Sequence, residues 1–160
     1  SSFVFDNNKL SKNAVSGGLI FYGKGKCATC HRGELFSDLK FYSIPFPQIG
    51  FGKNGFGVDY GRFNITFNPD DMYKFRTPPL YNVENTFPYS HSGSLYDLRK
   101  VITYHYDPLK YLDINSLSEI DRNEYYKKLI SSGKNIDLIP YLDAKEVSNL
   151  VEFLKTLSFK

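Results

Sequence analysis

Tryptophan is absent from the 160 residues, methionine occurs once, cysteine twice and histidine three times. These scarcities narrow the chemistry. A structural zinc site takes four ligands, usually through a second Cys or His pair, and Cys27 and Cys30 are the only cysteines present. A thioredoxin-like dithiol would need a βαβ pattern around it, and none is visible. A disulfide between thiols so close together would close a very short loop and stabilise little. No apolar run approaches membrane-spanning length, so no transmembrane segment is expected. The formal net charge of +3 is spread along the chain without a basic block, which argues against a nucleic-acid or membrane-surface partner. Internal repeats and low-complexity linkers are also lacking. A single domain over residues 1–160, with residues 1–10 irregular, is the simplest organisation.

Aromatic residues, by contrast, are plentiful: 14 Phe and 13 Tyr. Such rings suit an apolar pocket around a large flat ligand. The most informative segment is Cys27-Ala28-Thr29-Cys30-His31. Two thiols three residues apart, followed at once by an imidazole, can form both thioether bonds to a haem and an axial bond to its iron. The segment therefore reads as a c-type haem attachment site, with His31 as the proximal ligand. Because haem c is attached outside the bacterial cytoplasm, the expectation is an exported, periplasmic protein whose leader has been removed.

From Ser11, a candidate N-cap, Ala14, Gly18 and Phe21 fall on one face of a helix, and Gly17 with Gly18 would allow another helix to approach closely. The expected partner lies at the far end. There Asp143 and Glu146 form a capping signature ahead of Val147, Leu150, Val151, Leu154 and Leu157. Between them, residues 41–70 are dense in glycine, proline and phenylalanine, which predicts an ordered loop wrapping the haem edge, with a short hairpin through Arg62 to Phe67. The prolines of Phe75-Arg76-Thr77-Pro78-Pro79-Leu80 and Pro88-Tyr89-Ser90-His91-Ser92-Gly93 fix extended paths. Ser94 with Asp97 predicts the start of another helix, and a polar helix around Ser118 to Ser131, ended near Gly133, carries no evident chemistry.

The side chains able to fill the second axial position are Met72, His91 and His105. His105 stands at i+3 from Ile102, i+4 from Val101 and i+7 from Leu98, on the apolar face of its helix. That spacing favours it. Met72, in a polar stretch, and His91, in a proline-bounded turn, remain the alternatives, and His91 also reads as a donor to a haem propionate.

The order of CATCH, then FRTPPLYNVENTFPYSHSGSLYDLRKVITYH, then a Leu-rich terminal helix resembles the C-terminal haem domain of the bacterial di-haem cytochrome c peroxidase and MauG family. The resemblance covers nearly the whole chain from Ser11 onward. It implies a mainly α, cytochrome c-like fold with a long Gly/Pro/aromatic loop. It also implies one haem c, covalent through Cys27 and Cys30, with a distal ligand at the position of His105 and a pocket lined or braced by Arg76, Pro78, Tyr89 and His91. Two departures stand out. Leu80-Tyr81-Asn82 replaces the family's Leu-Arg-Asn, and His91-Ser92-Gly93 replaces His-Asp-Gly. The family's N-terminal half, carrying the haem that reacts with peroxide, has no counterpart in these residues.

Ligation by His31 and His105 would leave no open iron position. The expected function is electron transfer to a peroxidase-type haem on a missing half or partner chain, this chain alone not being catalytic. The alternative is an independent mono-haem electron carrier. A third reading has His105 dissociate on reduction and open a catalytic site. Redox proteins are the expected partners.

Overall fold

The structure, a computed structural model, describes residues 10–48, 58–135 and 139–158. Residues 1–9, residues 49–57 of the long loop and residues 136–138 ahead of Pro140 lie outside the described residues, and so does most of the irregular segment expected over residues 1–10. Helix α1 (Lys12–Tyr22) starts where Ser11 accepts the Ala14 N–H at 3.1 Å. Helix α5 (Ala144–Lys155) starts at a complete capping box, with Asp143 and Glu146 each accepting the other's backbone N–H. Each cap satisfies donors that a helix start leaves without partners.

The two terminal helices pack on each other, and the contact hinges on Gly17. A Cβ there would meet the Asn149 carbonyl oxygen and lie 2.8 Å from the Phe153 Cβ. At Gly18 the nearest atoms belong to the Phe153 ring, 3.3 Å away. Both glycines face the partner, but Gly17 alone has backbone against it. Around the crossing, Phe21, Phe36, Leu98, Ile102, Leu142, Leu150 and Leu154 form one apolar core.

The middle of the chain differs from expectation in three places. Arg62 to Phe67 forms no hairpin: Phe63–Thr66 is a single helical turn, α2, ended by Phe67 in the left-handed region. The strand pairing is long-range instead. Phe41–Tyr42 (β1) pairs antiparallel with Phe75–Arg76 (β2) and clasps the two ends of the long loop together. Helix α3 (Leu98–Tyr104) is capped by Asp97 alone. Ser94 sits in an extended stretch held by the Tyr89–Leu95 bridge, and its hydroxyl donates to the Pro47 carbonyl at 3.0 Å. Finally, helix α4 (Glu119–Asn135) runs through Gly133, which meets open space and imposes no turn. A lone exposed glycine costs a helix only about 1 kcal/mol.

Candidate haem site

After α1 the chain doubles back through Gly25, whose N–H donates to the Ile20 carbonyl at 2.8 Å. A Cβ on Gly25 would lie 2.8 Å from that oxygen and 3.3 Å from the Cys27 Sγ, so only glycine lets the segment turn this tightly. The turn delivers a 3-10 segment, Cys27–Thr29. His31 follows, its N–H donating to the Cys27 carbonyl at 2.9 Å. Both cysteines are free thiols. Burial pushes the Cys27 thiol up to about 11 and also raises Cys30, so both are protonated at neutral pH.

The His31 ring donates from Nδ1 to the Phe36 carbonyl at 3.1 Å, and the His105 ring donates from Nδ1 to the Val101 carbonyl at 2.8 Å. In each ring the remaining nitrogen is Nε2. Metal-ligating histidines commonly hand their second N–H to a carbonyl in this way, which fixes tautomer and ring orientation. Burial lowers the His31 pKa against the pull of the Phe36 and Pro78 carbonyls. It lowers His105 to about 4, with the Val101 carbonyl opposing and the nearby His31 adding to the fall. Both imidazoles are therefore neutral at physiological pH, the form that binds metal.

Both rings line one cavity of about 650 Å³. Cys27, Cys30, Arg76, Pro78, Tyr89 and His91 line it too, so every site residue expected from the sequence reaches the same space. The volume is within the roughly 300–1,000 Å³ of cofactor pockets, and apolar side chains such as Phe46, Phe75, Leu98 and Leu154 contribute to its walls. Two thiols, two neutral imidazoles and an apolar slot fit a covalently attached haem. Met72 is not among the lining residues. The His91 Nε2 is 2.7 Å from Asp59 Oδ2, and the His91 ring stacks on Phe75 with centroids 3.9 Å apart. Tyr89 braces the wall by donating to the Val83 carbonyl at 2.9 Å.

Several neighbours were not singled out from the sequence. Phe46 packs edge-on against the His105 ring, with centroids 5.4 Å apart. The Tyr42 hydroxyl donates to Asp38 at 2.7 Å beside Cys30. Lys128 of α4 is buried and lines the cavity. For Lys128 a signal was present: Tyr125 and Lys128 are three residues apart on one face of an otherwise polar helix.

The helical fold, the Cys27–His31 segment and the two imidazoles lining one cavity define a cytochrome c-like domain. No protein-family model matches the chain. Among curated relatives, it is 30% identical to cytochrome-c peroxidase IdrP2 of Denitromonas iodatirespirans over 96% of this chain and 41% of that protein. It is 29% identical to cytochrome-c peroxidase IdrP1 of Pseudomonas sp. (strain SCT) over 89% of this chain and 42% of that one. Among solved structures, a MauG-like protein associated with microbial copper homeostasis matches with a TM-score of 0.75 and 28% identity, over 99% of this chain and 50% of that chain. The chain belongs to the bacterial di-haem cytochrome c peroxidase and MauG family. It spans about half the length, or less, of the relatives it matches. Membership carries haem binding with it. No described helix is long and apolar enough to cross a membrane.

Proposed function

We propose that this chain is the electron-transfer haem domain of a di-haem peroxidase-type system, corresponding to the C-terminal half of its relatives and exported from the cytoplasm. One haem c is held covalently by Cys27 and Cys30. His31 and His105 would hold its iron, and a second, peroxide-reactive haem would belong to another segment or a partner chain. One observation carries the reading: two imidazoles, each with Nδ1 engaged by a backbone carbonyl, line the same apolar cavity as the two free thiols.

Bound here, a haem supplies a one-electron ferric/ferrous couple. The chain's residues do the rest. Cys27 and Cys30, kept as thiols by burial, are the groups that add to the haem's vinyl side chains. The Phe36 and Val101 carbonyls hold the two Nε2 atoms in their ligating tautomer. Phe46 packs against His105, and the apolar wall excludes water. With His31 and His105 both holding the iron, no position would be left there for peroxide, and the domain's task would be to pass electrons on.

The test joins a haem count to a spectrum. Mass spectrometry should find one thioether-linked haem per chain, and the iron should be low-spin in both redox states. His105→Gly should turn it high-spin. An unchanged low-spin spectrum in that variant would move the distal ligand to Met72 or His91. Native purification without a haem-bearing partner, together with no peroxide turnover, would make the chain an independent carrier instead.

A further inference from the structure

We propose that the exposed ring of Tyr111, flanked by the ammonium groups of Lys100 and Lys110, is the docking point for an acidic electron-carrier protein, an inference that rests on the electron-transfer reading above. A series of packed rings connects this point to the cavity. Phe46 meets the His105 ring edge-on with centroids 5.4 Å apart, Tyr104 is 6.0 Å from Phe46, and Tyr111 is 6.3 Å from Tyr104. His105 and Phe46 line the cavity, Tyr104 is 2% exposed and Tyr111 is 44% exposed, so the series runs from the cavity wall to solvent. Both of its ends are tied to α4. The Tyr125 hydroxyl reaches the carbonyl of Pro45, next to Phe46, at 2.9 Å and that of Pro108, three residues before Tyr111, at 2.8 Å. Electron tunnelling falls off steeply with distance, and packed rings give a short route between the surface and the proposed iron ligand.

The charge around Tyr111 says what kind of protein fits. The Lys100 and Lys110 Nζ atoms lie 5.6 and 5.7 Å from the centre of its ring. A ring face attracts a cation, and an exposed ammonium held there keeps its charge available to a partner. Among the described residues neither lysine pairs with a carboxylate, whereas Lys24, Lys74, Lys127 and Lys155 each do. The acids of the same segment are turned elsewhere: Asp113 accepts the Asn115 N–H at 3.0 Å, and Asp107 is half-buried. Leu109, 48% exposed, adds apolar surface next to Lys110. An apolar centre rimmed by cations suits a partner of opposite charge, which the rim steers into place. A second series of rings, Tyr73, Tyr60, Phe63 and Phe67, also leads from the cavity to the surface. The cations beside it, Arg62 and Lys74, are both paired with Asp71, so the Tyr111 end is the one marked for an acidic face.

The test gives the holo-protein two electron donors: reduced flavodoxin, a strongly acidic flavoprotein, and free reduced riboflavin, which has no protein surface. In either case the flavin gives up one electron and ferric iron becomes ferrous, with no bond between the partners made or broken. Lys100→Glu combined with Lys110→Glu should slow reduction by flavodoxin about tenfold or more at low salt and flatten its salt dependence, while reduction by riboflavin stays unchanged. Calorimetric titration of the two proteins, both oxidised, should show the affinity falling by a similar factor. Tyr111→Leu should lower the rate at saturating flavodoxin, Tyr111→Phe should keep it, and Phe67→Ser should alter neither rate nor affinity. An unchanged rate and affinity in the charge-reversed protein overturns the proposal, and so does equal slowing with riboflavin, which would place the change at the haem. A saturating rate untouched by Tyr111→Leu, or a loss confined to Phe67→Ser, would overturn the route through Tyr111. A chain with no thioether-linked haem would instead refute the haem reading itself.

Discussion

Gly17 and Gly18 are neighbours in sequence, yet the same substitution should act on them in opposite directions. At Gly17 a Cβ would meet the Asn149 carbonyl oxygen, with its carbon 2.6 Å away and the Phe153 Cβ at 2.8 Å. Two of those three atoms are backbone, so they can yield only if α1 moves off α5. Overpacking a tight site costs about 1–3 kcal/mol, and the backbone obstruction places Gly17→Ala at the upper end. Replacing a helical glycine by alanine returns about 1 kcal/mol. The net loss is about 2 kcal/mol, or a fall in Tm of roughly 4–8 °C for a chain of this size. At Gly18 the contacts are two ring carbons of Phe153 at 3.3 and 3.4 Å, on a side chain that can shift by the few tenths of an ångström required. The helix-propensity gain then dominates, and Gly18→Ala should be neutral or stabilising by up to about 1 kcal/mol. Thermal and denaturant unfolding of the holo-proteins, followed by far-ultraviolet circular dichroism, measures both. Equal destabilisation by the two variants would refute the helix crossing described here.

Two further outcomes follow from the site and its supports. Tyr125→Phe removes the hydroxyl that bonds the carbonyls of Pro45 and Pro108, and should cost about 1–3 kcal/mol in denaturant unfolding; a loss below a few tenths would mean that α4 is not anchored there. Without iron, His105 titrates at about 4 in the folded chain against about 6.5 unfolded. Its contribution to stability is therefore whole above about pH 6.5 and is lost as pH falls toward 4, because the unfolded chain takes up the proton first. Iron ligation would remove that proton site from the folded state alone, so apo-protein stability should level off below about pH 4 while holo-protein stability keeps falling there. Parallel curves would count against His105 as a ligand.

The features legible in the sequence were those written in local spacing. The Ser11 cap, the Asp143–Glu146 capping box and the apolar stripe from Val147 to Leu154 each need only a few consecutive residues, and each appears as read, Leu157 being buried just past the helix end at Lys155. The attachment segment is of the same kind. His105 reached the cavity because a residue on the apolar face of α3 has no other direction to point. What spacing could not carry was long-range pairing. The β1–β2 clasp joins residues some thirty-five positions apart, and nothing in Phe41-Tyr42 distinguishes that partner from a nearer one. Arg62 to Phe67 makes a helical turn in place of the expected hairpin, while residues 41–42 pair with residues 75–76. Lys128 was passed over for a related reason: a basic residue on a polar helix looks solvated until the packing turns it inward.

The two histidines proposed as ligands hang from elements that pack at the α1–α5 crossing, His31 after α1 and His105 on α3 against α5, and this would make the crossing a determinant of iron ligation as well as of stability. His31 follows α1 through the Gly25 turn. His105 closes α3, a helix of seven residues, too short to persist alone, whose Leu98 and Ile102 are packed into the core with α5. Any change in the α1–α5 spacing should therefore alter the separation of the two imidazoles in the cavity. A covalently attached haem would follow the His31 side, through Cys27 and Cys30, and the strain would fall on the His105 bond. Gly17→Ala should thus show a high-spin fraction in the holo-protein at temperatures well below its own melting transition. Gly18→Ala should stay fully low-spin. A Gly17→Ala protein that is destabilised but wholly low-spin would show that α3 and its histidine are positioned independently of the crossing, by Phe46 and the loop that presents it.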